Sequence, residues 1–123
     1  DSRAVLSKDV SFDGQVTPLQ MTVDHVASNP DEKRLIEGLG GFISSAGGIE
    51  RVNGTLAVSR SLGDTDLAPL LSQVPHVVAM SKAEVMQLCQ NQLYTTLEES
   101  HAPPCFIVLA SDGLWDVMSN QEA

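Results

Sequence analysis

Basic residues are scarce in this sequence. Seven Lys and Arg stand against sixteen Asp and Glu, for a net charge of -9. A surface of that sign repels nucleic-acid backbones and anionic lipid heads and attracts hard divalent cations. No nucleic-acid partner is therefore expected. Long apolar runs are missing as well. Nothing approaches the roughly 18 residues of a membrane-crossing helix, so no membrane span is expected, and no basic-then-apolar leader opens the chain. Cysteine is limited to Cys89 and Cys105. Neither sits in a CxxC or Cys/His grouping, which speaks against a disulfide framework or a zinc site and for a reducing, intracellular setting, cytoplasmic or nuclear. Repeats and low-complexity tracts are absent. What is present is 123 residues, 42% of them hydrophobic and 19% charged, enough for one ordinary core.

Arg3 to Ser7 and Val16 to Thr22 are apolar and β-branched enough for strands, and Asp13-Gly14 between them supplies turn chemistry, so a hairpin is expected. Ser28-Asn-Pro-Asp-Glu32 offers a cap residue, a proline near the first helical position and acids in the first turn. A short amphipathic helix through Leu35, Ile36 and Leu39 should follow, stopped by Gly40-Gly41. Phe42 to Ser44 reads as a short strand, Ala46-Gly-Gly48 as a loop, and Arg51 to Val58 as an extended stretch with a tight turn at Asn53-Gly54. Val74 to Met80 reads as a further strand. Ser81-Lys-Ala-Glu84 has capping-box form, and Val85, Leu88, Cys89, Leu93 and Leu97 continue at helical spacing to about Glu98. Cys105 to Ala110 is continuously apolar and reads as a buried strand. Strands and helices mix without βαβ crossover spacing, which predicts an α+β domain. At the ends, Asp1 abuts a strand already under way, and Ser119-Asn-Gln-Glu122 announces a further helix. The chain is expected to be a piece of a larger domain.

Chemistry concentrates where Cys105 to Ala110 ends. Asp112 leaves the strand, and Asp116 follows four residues later, so one helical turn would set both carboxylates on one side. Such a pair can grip a hard cation. It can equally be a strand-end turn made by Asp112 with Gly113, with Asp116 capping or pairing locally. Spacing alone leaves the two readings level. Asp64-Thr-Asp66 has the Asp-x-Asp form of a phosphatase nucleophile pair but lacks a preceding apolar strand and reads as a turn. Gly47-Gly48 lacks the helix start and lysine of a phosphate-binding loop and reads as a hinge. His25 could serve as a general acid but reads more simply as structural, Trp115 as a core anchor, and Cys89 as packing.

Asp1-Ser-Arg-Ala-Val-Leu6, Asp24-His25, Glu32 to Arg34 before Gly40-Gly41, Arg51-Val-Asn-Gly-Thr-Leu-Ala-Val-Ser-Arg-Ser-Leu-Gly-Asp64 and Ala110-Ser-Asp-Gly-Leu-Trp-Asp-Val-Met-Ser119 resemble, in order, consecutive motifs of the metal-dependent serine/threonine protein phosphatases of type 2C. The resemblance runs the whole length of the chain. It implies a β-sandwich of antiparallel sheets flanked by helices, with residues 1–123 forming the later part of one catalytic domain truncated at both ends. It also implies Mg²⁺ or Mn²⁺ as cofactor and phosphoserine and phosphothreonine proteins as substrates, hydrolysed by a metal-activated water without a phosphoenzyme. By the same resemblance Asp112 helps bind a two-metal centre, Asp116 and Asp1 complete a nearby third metal site, and Arg51 to Asp64 leaves a flap beside the active site. A monomer is expected for the intact protein.

Two of the family's blocks do not occur in the sequence. These are the Asp-Gly-His-Gly-Gly run, with its metal-bridging aspartate, and the downstream Asp-Asn pair. An upstream arginine that receives phosphate is also lacking. Asp9 precedes Val10 where the family turns with glycine, and Ser81 to Pro104 is longer than the usual connection. The competing reading is a pseudophosphatase, a binding or scaffold module without turnover. Retention of three costly acids converging on one site argues against it.

Overall fold

The structure is a computed structural model and describes residues 1–10, 15–89 and 105–123. Its elements run β1 (Arg3–Val10), β2 (Val16–Gln20), α1 (Pro30–Gly38), β3 (Ile43–Ala46), β4 (Ile49–Val52), a 3₁₀ turn (Thr65–Leu67), α2 (Lys82–Cys89), β5 (Ile107–Ala110) and α3 (Asp112–Trp115). They form two compact units, one of Asp24–His76 with Asp1, the other of Ser2–Val23 with Val77–Ala123.

In the first unit, α1 begins where the sequence chemistry directs. Asn29 accepts from the Asp31 amide at 3.0 Å, and Pro30 opens the helix, where its missing N–H costs nothing. The helix closes on a Schellman motif. Gly40 adopts φ +88°, the Gly40 amide donates to the Glu37 carbonyl at 3.0 Å, and the Gly41 amide donates to the Ile36 carbonyl at 3.0 Å. One face of α1 turns Ile36 into a core with Ala27, Val52 and Leu71, against which Ile43, Leu56, Leu67 and Leu70 pack. Strands β3 and β4 pair antiparallel, Ile43 opposite Val52. Gly47 and Gly48 join them with φ +63° and +84°, the primed two-residue turn that suits strand twist. The expected hinge is thus a hairpin turn. Asn53 and Gly54 make the second tight turn, both at positive φ, and Asp64-Thr-Asp66 enters the 3₁₀ turn.

In the second unit, β1 lies between β2 and β5, antiparallel to both, in the order β2-β1-β5. Val5 sits opposite Gln20 on one side and Val108 on the other. The expected hairpin is therefore present, while Asp13-Gly14 lies outside the described residues. Central position buries Ala4, Val5, Leu6 and Ser7. The capping box of α2 forms as read, the Glu84 amide donating to Ser81 Oγ at 3.2 Å and the Ser81 amide to Glu84 Oε2 at 2.7 Å. The helix reading beyond Cys89 falls outside the described residues.

Three expectations need correction. Val74 to Met80 forms no strand, and Val74 and Val77 are exposed, because β propensity yields a strand only where a neighbour supplies the ladder. Strand β5 begins at Ile107, not Cys105, and among the described residues it is an edge, with Leu109 76% exposed. An apolar run shows that a strand is suited to burial and does not show which faces are covered. Against the expectation of no disulfide framework, with Cys89 as packing, Cys89 and Cys105 are joined in a disulfide, their Cα atoms 5.9 Å apart. Both arrive at Ser7: Cys89 Sγ lies 3.2 Å from the Ser7 carbonyl oxygen, and Phe106 exchanges hydrogen bonds with Ser7 at 2.8 and 2.9 Å. Their meeting is a product of tertiary packing that no local motif announces.

Candidate functional site

Strand β5 delivers the chain to Ser111, an extended residue, and α3 starts at Asp112. The helix lasts four residues. Asp116 caps it, its amide donating to the Asp112 carbonyl at 2.8 Å. The two carboxylates thus stand one turn apart, both exposed. Neither side chain has a hydrogen-bond or ion-pair partner among the described residues. The local-cap alternative for Asp116 is thereby absent at the side chain, since what caps the helix is its backbone.

Short helices are unstable alone, because nucleation is unfavourable and one turn adds little. What holds α3 is tertiary. Trp115 folds back over the strand end, its indole Nε1–H donating to the Ala110 carbonyl at 2.9 Å, and it is half-buried. The Arg3 guanidinium lies over the indole at 5.2 Å and donates to Asn120 Oδ1 at 2.6 Å. Asn120 in turn donates to Gln20 Oε1 at 3.1 Å, and Gln121 to the Val16 carbonyl at 2.8 Å. The chain after α3 is strapped across the end of the sheet. Glu122 accepts from the Ser119 amide at 2.8 Å and hydroxyl at 2.7 Å, which holds its carboxyl below the usual carboxylate range. A cleft of about 420 Å³ opens beside this strap over the sheet, lined by Val5, Ser7, Pro18, Val108 and Trp115 among others.

Asp112 opens α3 and Asp116 closes it, one turn apart. Asp1 is exposed and groups with the first unit. Antiparallel pairing sets Arg3 opposite Ala110, so β1 begins at the sheet end from which β5 runs into α3. No set of three His, Cys, Asp or Glu side chains converges on a metal position among the described residues. Two exposed, unpartnered carboxylates are hard oxygen donors of the kind Mg²⁺ and Mn²⁺ take, and they fit as part of a ligand set.

A second constellation lies in the first unit, and sequence reasoning missed it. Glu32 is only 4% exposed. It accepts from Ser59 Oγ at 2.6 Å and from Arg60 at 3.0 Å (Nε) and 2.5 Å (the terminal guanidinium nitrogen). Arg60 also donates to the Val74 carbonyl at 2.7 Å. The Arg60 hydrogen bonds pull the Glu32 carboxyl below its ordinary value despite burial. His25, edge-to-face with His76 at 6.2 Å, is lowered by burial and then by the Arg60 charge. Its backbone carbonyl accepts from the Ser59 amide at 3.0 Å, consistent with a structural histidine. The available signal was Glu32 four residues before Ile36, an acid on the helix's apolar stripe.

The antiparallel sheets and the few helices define a partial α+β domain. The sequence profile of the family Protein phosphatase 2C matches residues 1–123, and the chain belongs to that family. It is similar to the probable protein phosphatase 2C 10 of Arabidopsis thaliana, 44% identical over 100% of this chain and 35% of the relative. To protein phosphatase 1B of Rattus norvegicus it is 41% identical over 99% of this chain and 26% of that one. Among solved structures, the serine-threonine phosphatase 2C from Toxoplasma gondii aligns with TM-score 0.59 at 23% identity over 99% of this chain and 38% of that chain, a likeness of fold. The chain thus spans about a third or less of the length of these curated relatives.

Proposed function

We propose that the whole protein hydrolyses phosphoserine and phosphothreonine on proteins, with Mg²⁺ or Mn²⁺ held in part by Asp112, Asp116 and Asp1. The observation that carries this is the pair of unpartnered carboxylates one turn apart on α3, inside a chain matched end to end by the phosphatase family. Two like charges one turn apart repel modestly in water, and a cation shared between them turns that repulsion into attraction. When bound, the cation supplies charge that activates water and stabilises phosphoryl oxygens. The chain's part is to hold two carboxylates on a short, braced helix facing solvent, where substrate can approach. Strand β5 fixes where Asp112 leaves the sheet, and the backbone of α3 fixes Asp116 one turn beyond. We further propose an intracellular, cytoplasmic or nuclear, monomeric protein. A disulfide in the purified whole protein that resists glutathione would overturn the intracellular part.

Asp112→Asn in the whole protein should abolish Mn²⁺-dependent hydrolysis of a phosphothreonine peptide and leave the circular dichroism spectrum unchanged. Near-normal turnover in the variant would sink the assignment. A wild-type protein without turnover would favour a binding module instead.

A further inference from the structure

We infer that Arg3 is a positioning residue for the acid pair, acting through Trp115, and that it thereby sets how tightly the site holds its divalent cation; this rests on the phosphatase reading above. The helix that bears Asp112 has four residues and buries none of them. Of its residues Leu114 and Trp115 alone are half-buried, so the direction in which α3 presents the pair relative to the sheet depends on what grips its last turn. That grip is Trp115, the residue immediately before Asp116. Among the described residues its half-buried ring is held by the Nε1–H to the Ala110 carbonyl at 2.9 Å and by the Arg3 guanidinium at 5.2 Å.

Arg3 is suited to the task by its place in the sheet. It belongs to the central strand, opposite Ala110, the same residue whose carbonyl receives the indole. Strand β1 is held on both sides, and Ala4 beside Arg3 donates its amide to Thr22 Oγ1 at 3.0 Å. The base of the side chain is thus held by the ladder with β5, where β1 begins. Its other end donates to Asn120 Oδ1 at 2.6 Å, and Asn120 is tied to Gln20 on β2. One guanidinium therefore bridges the chain before Asp116, through the ring, and the chain after it, through Asn120. A planar fork can stack and donate at once, and an ammonium cannot do both equally well. Residues that orient metal ligands change affinity when altered even though they never touch the metal.

The test uses the whole protein with Arg3→Met, Arg3→Lys and Trp115→Phe, reading Mn²⁺ affinity by calorimetry, Mn²⁺ dependence of aryl phosphate hydrolysis, and the melting temperature. Arg3→Met keeps an apolar stem and should weaken the calorimetric Mn²⁺ affinity and raise the half-saturating Mn²⁺ concentration about tenfold, with kcat at saturating Mn²⁺ within about twofold. Arg3→Lys should recover part of the loss. Trp115→Phe keeps a ring and loses the Nε1–H, and should fall between wild type and Arg3→Met. A lowered melting temperature with unchanged Mn²⁺ affinity in Arg3→Met would show a merely structural residue and overturn the inference. Turnover in wild type with wild-type Mn²⁺ dependence in Arg3→Met would overturn it while leaving the phosphatase reading standing. Mn²⁺ binding that Arg3→Met weakens in a protein without turnover would uphold the inference and sink that reading. A wild type that binds no Mn²⁺ overturns both.

Discussion

Replacing Arg60 by Met should cost about 3 kcal/mol of folding stability, and the estimate follows from what the change leaves behind. Methionine approximates the arginine stem in length and bulk, so packing along the side chain is largely retained. Glu32 then loses both Arg60 hydrogen bonds and keeps only the Ser59 hydroxyl at 2.6 Å, while Val74 loses the donor to its carbonyl. Breaking a buried ion pair by removing one partner costs about 3–5 kcal/mol. The lower end applies here because the Arg60 side chain is 22% exposed, against 5% for Glu32, so water can reach the vacated side. Equilibrium urea unfolding of the whole protein reads the change: with a slope of about 2 kcal/mol/M, the midpoint should fall by about 1.5 M. Adding Glu32→Gln to Arg60→Met should raise stability again, since a neutral amide left without its partner costs about 1–3 kcal/mol, less than a stranded carboxylate. A loss under about 1 kcal/mol in Arg60→Met would refute the reasoning. So would a double variant no more stable than the single one, because either result would mean that the buried carboxylate does not need the guanidinium.

Stability should also fall with acid through this cluster. Glu32 has a folded pKa below its unfolded one, so its contribution is full above the unfolded value of 4.5 and is lost as pH falls through the folded value. His25, also lowered, acts in the same sense below 6.5. Urea midpoints measured from pH 7 to 4 should therefore slope downward, and less steeply in His25→Gln between pH 6.5 and 5. Gly41→Ala should destabilise by about 1–3 kcal/mol, because a Cβ there would stand 2.8 Å from Ile36 Cγ2 and 3.1 Å from the Leu70 methyls; a melting temperature equal to wild type would show that the core yields. Reducing the Cys89–Cys105 disulfide, which closes a separation of 16 residues, should lower stability by about 3 kcal/mol on loop entropy alone, a difference that unfolding with and without dithiothreitol measures.

The parts of this molecule that the sequence made legible are those governed by neighbours within about five residues. Asn29 before Pro30, Gly40 after the last turn, the Ser81–Glu84 box and the Asp112–Asp116 spacing each carry their own local hydrogen-bond solution, and each forms. The parts that were not legible depend on what the chain meets at a distance. Val74 to Met80 has strand composition without a ladder partner, Leu109 has core composition on an open edge, and Cys89 meets Cys105 because α2 and β5 both reach Ser7. The Glu32 and Arg60 pair spans 28 residues, and an acid on an apolar helix stripe does not reveal which of seven cations will answer it.

The same distinction bears on the candidate site. The spacing of Asp112 and Asp116 is local and could be read directly, but spacing left a cation site and an ordinary turn level. The structure removes the side-chain capping alternative, since the backbone of Asp116 closes the helix and both carboxylates remain without partners among the described residues. What braces the chain around those residues is again distant: Arg3 lies 117 residues from Asn120 in sequence and 2.6 Å from it in space. No residue of this four-residue helix is fully buried, and its half-buried Trp115 ties it to the sheet beside the strap behind it. For that reason the role inferred for Arg3 rests on its position on the central strand, opposite Ala110, rather than on any property of the acids themselves.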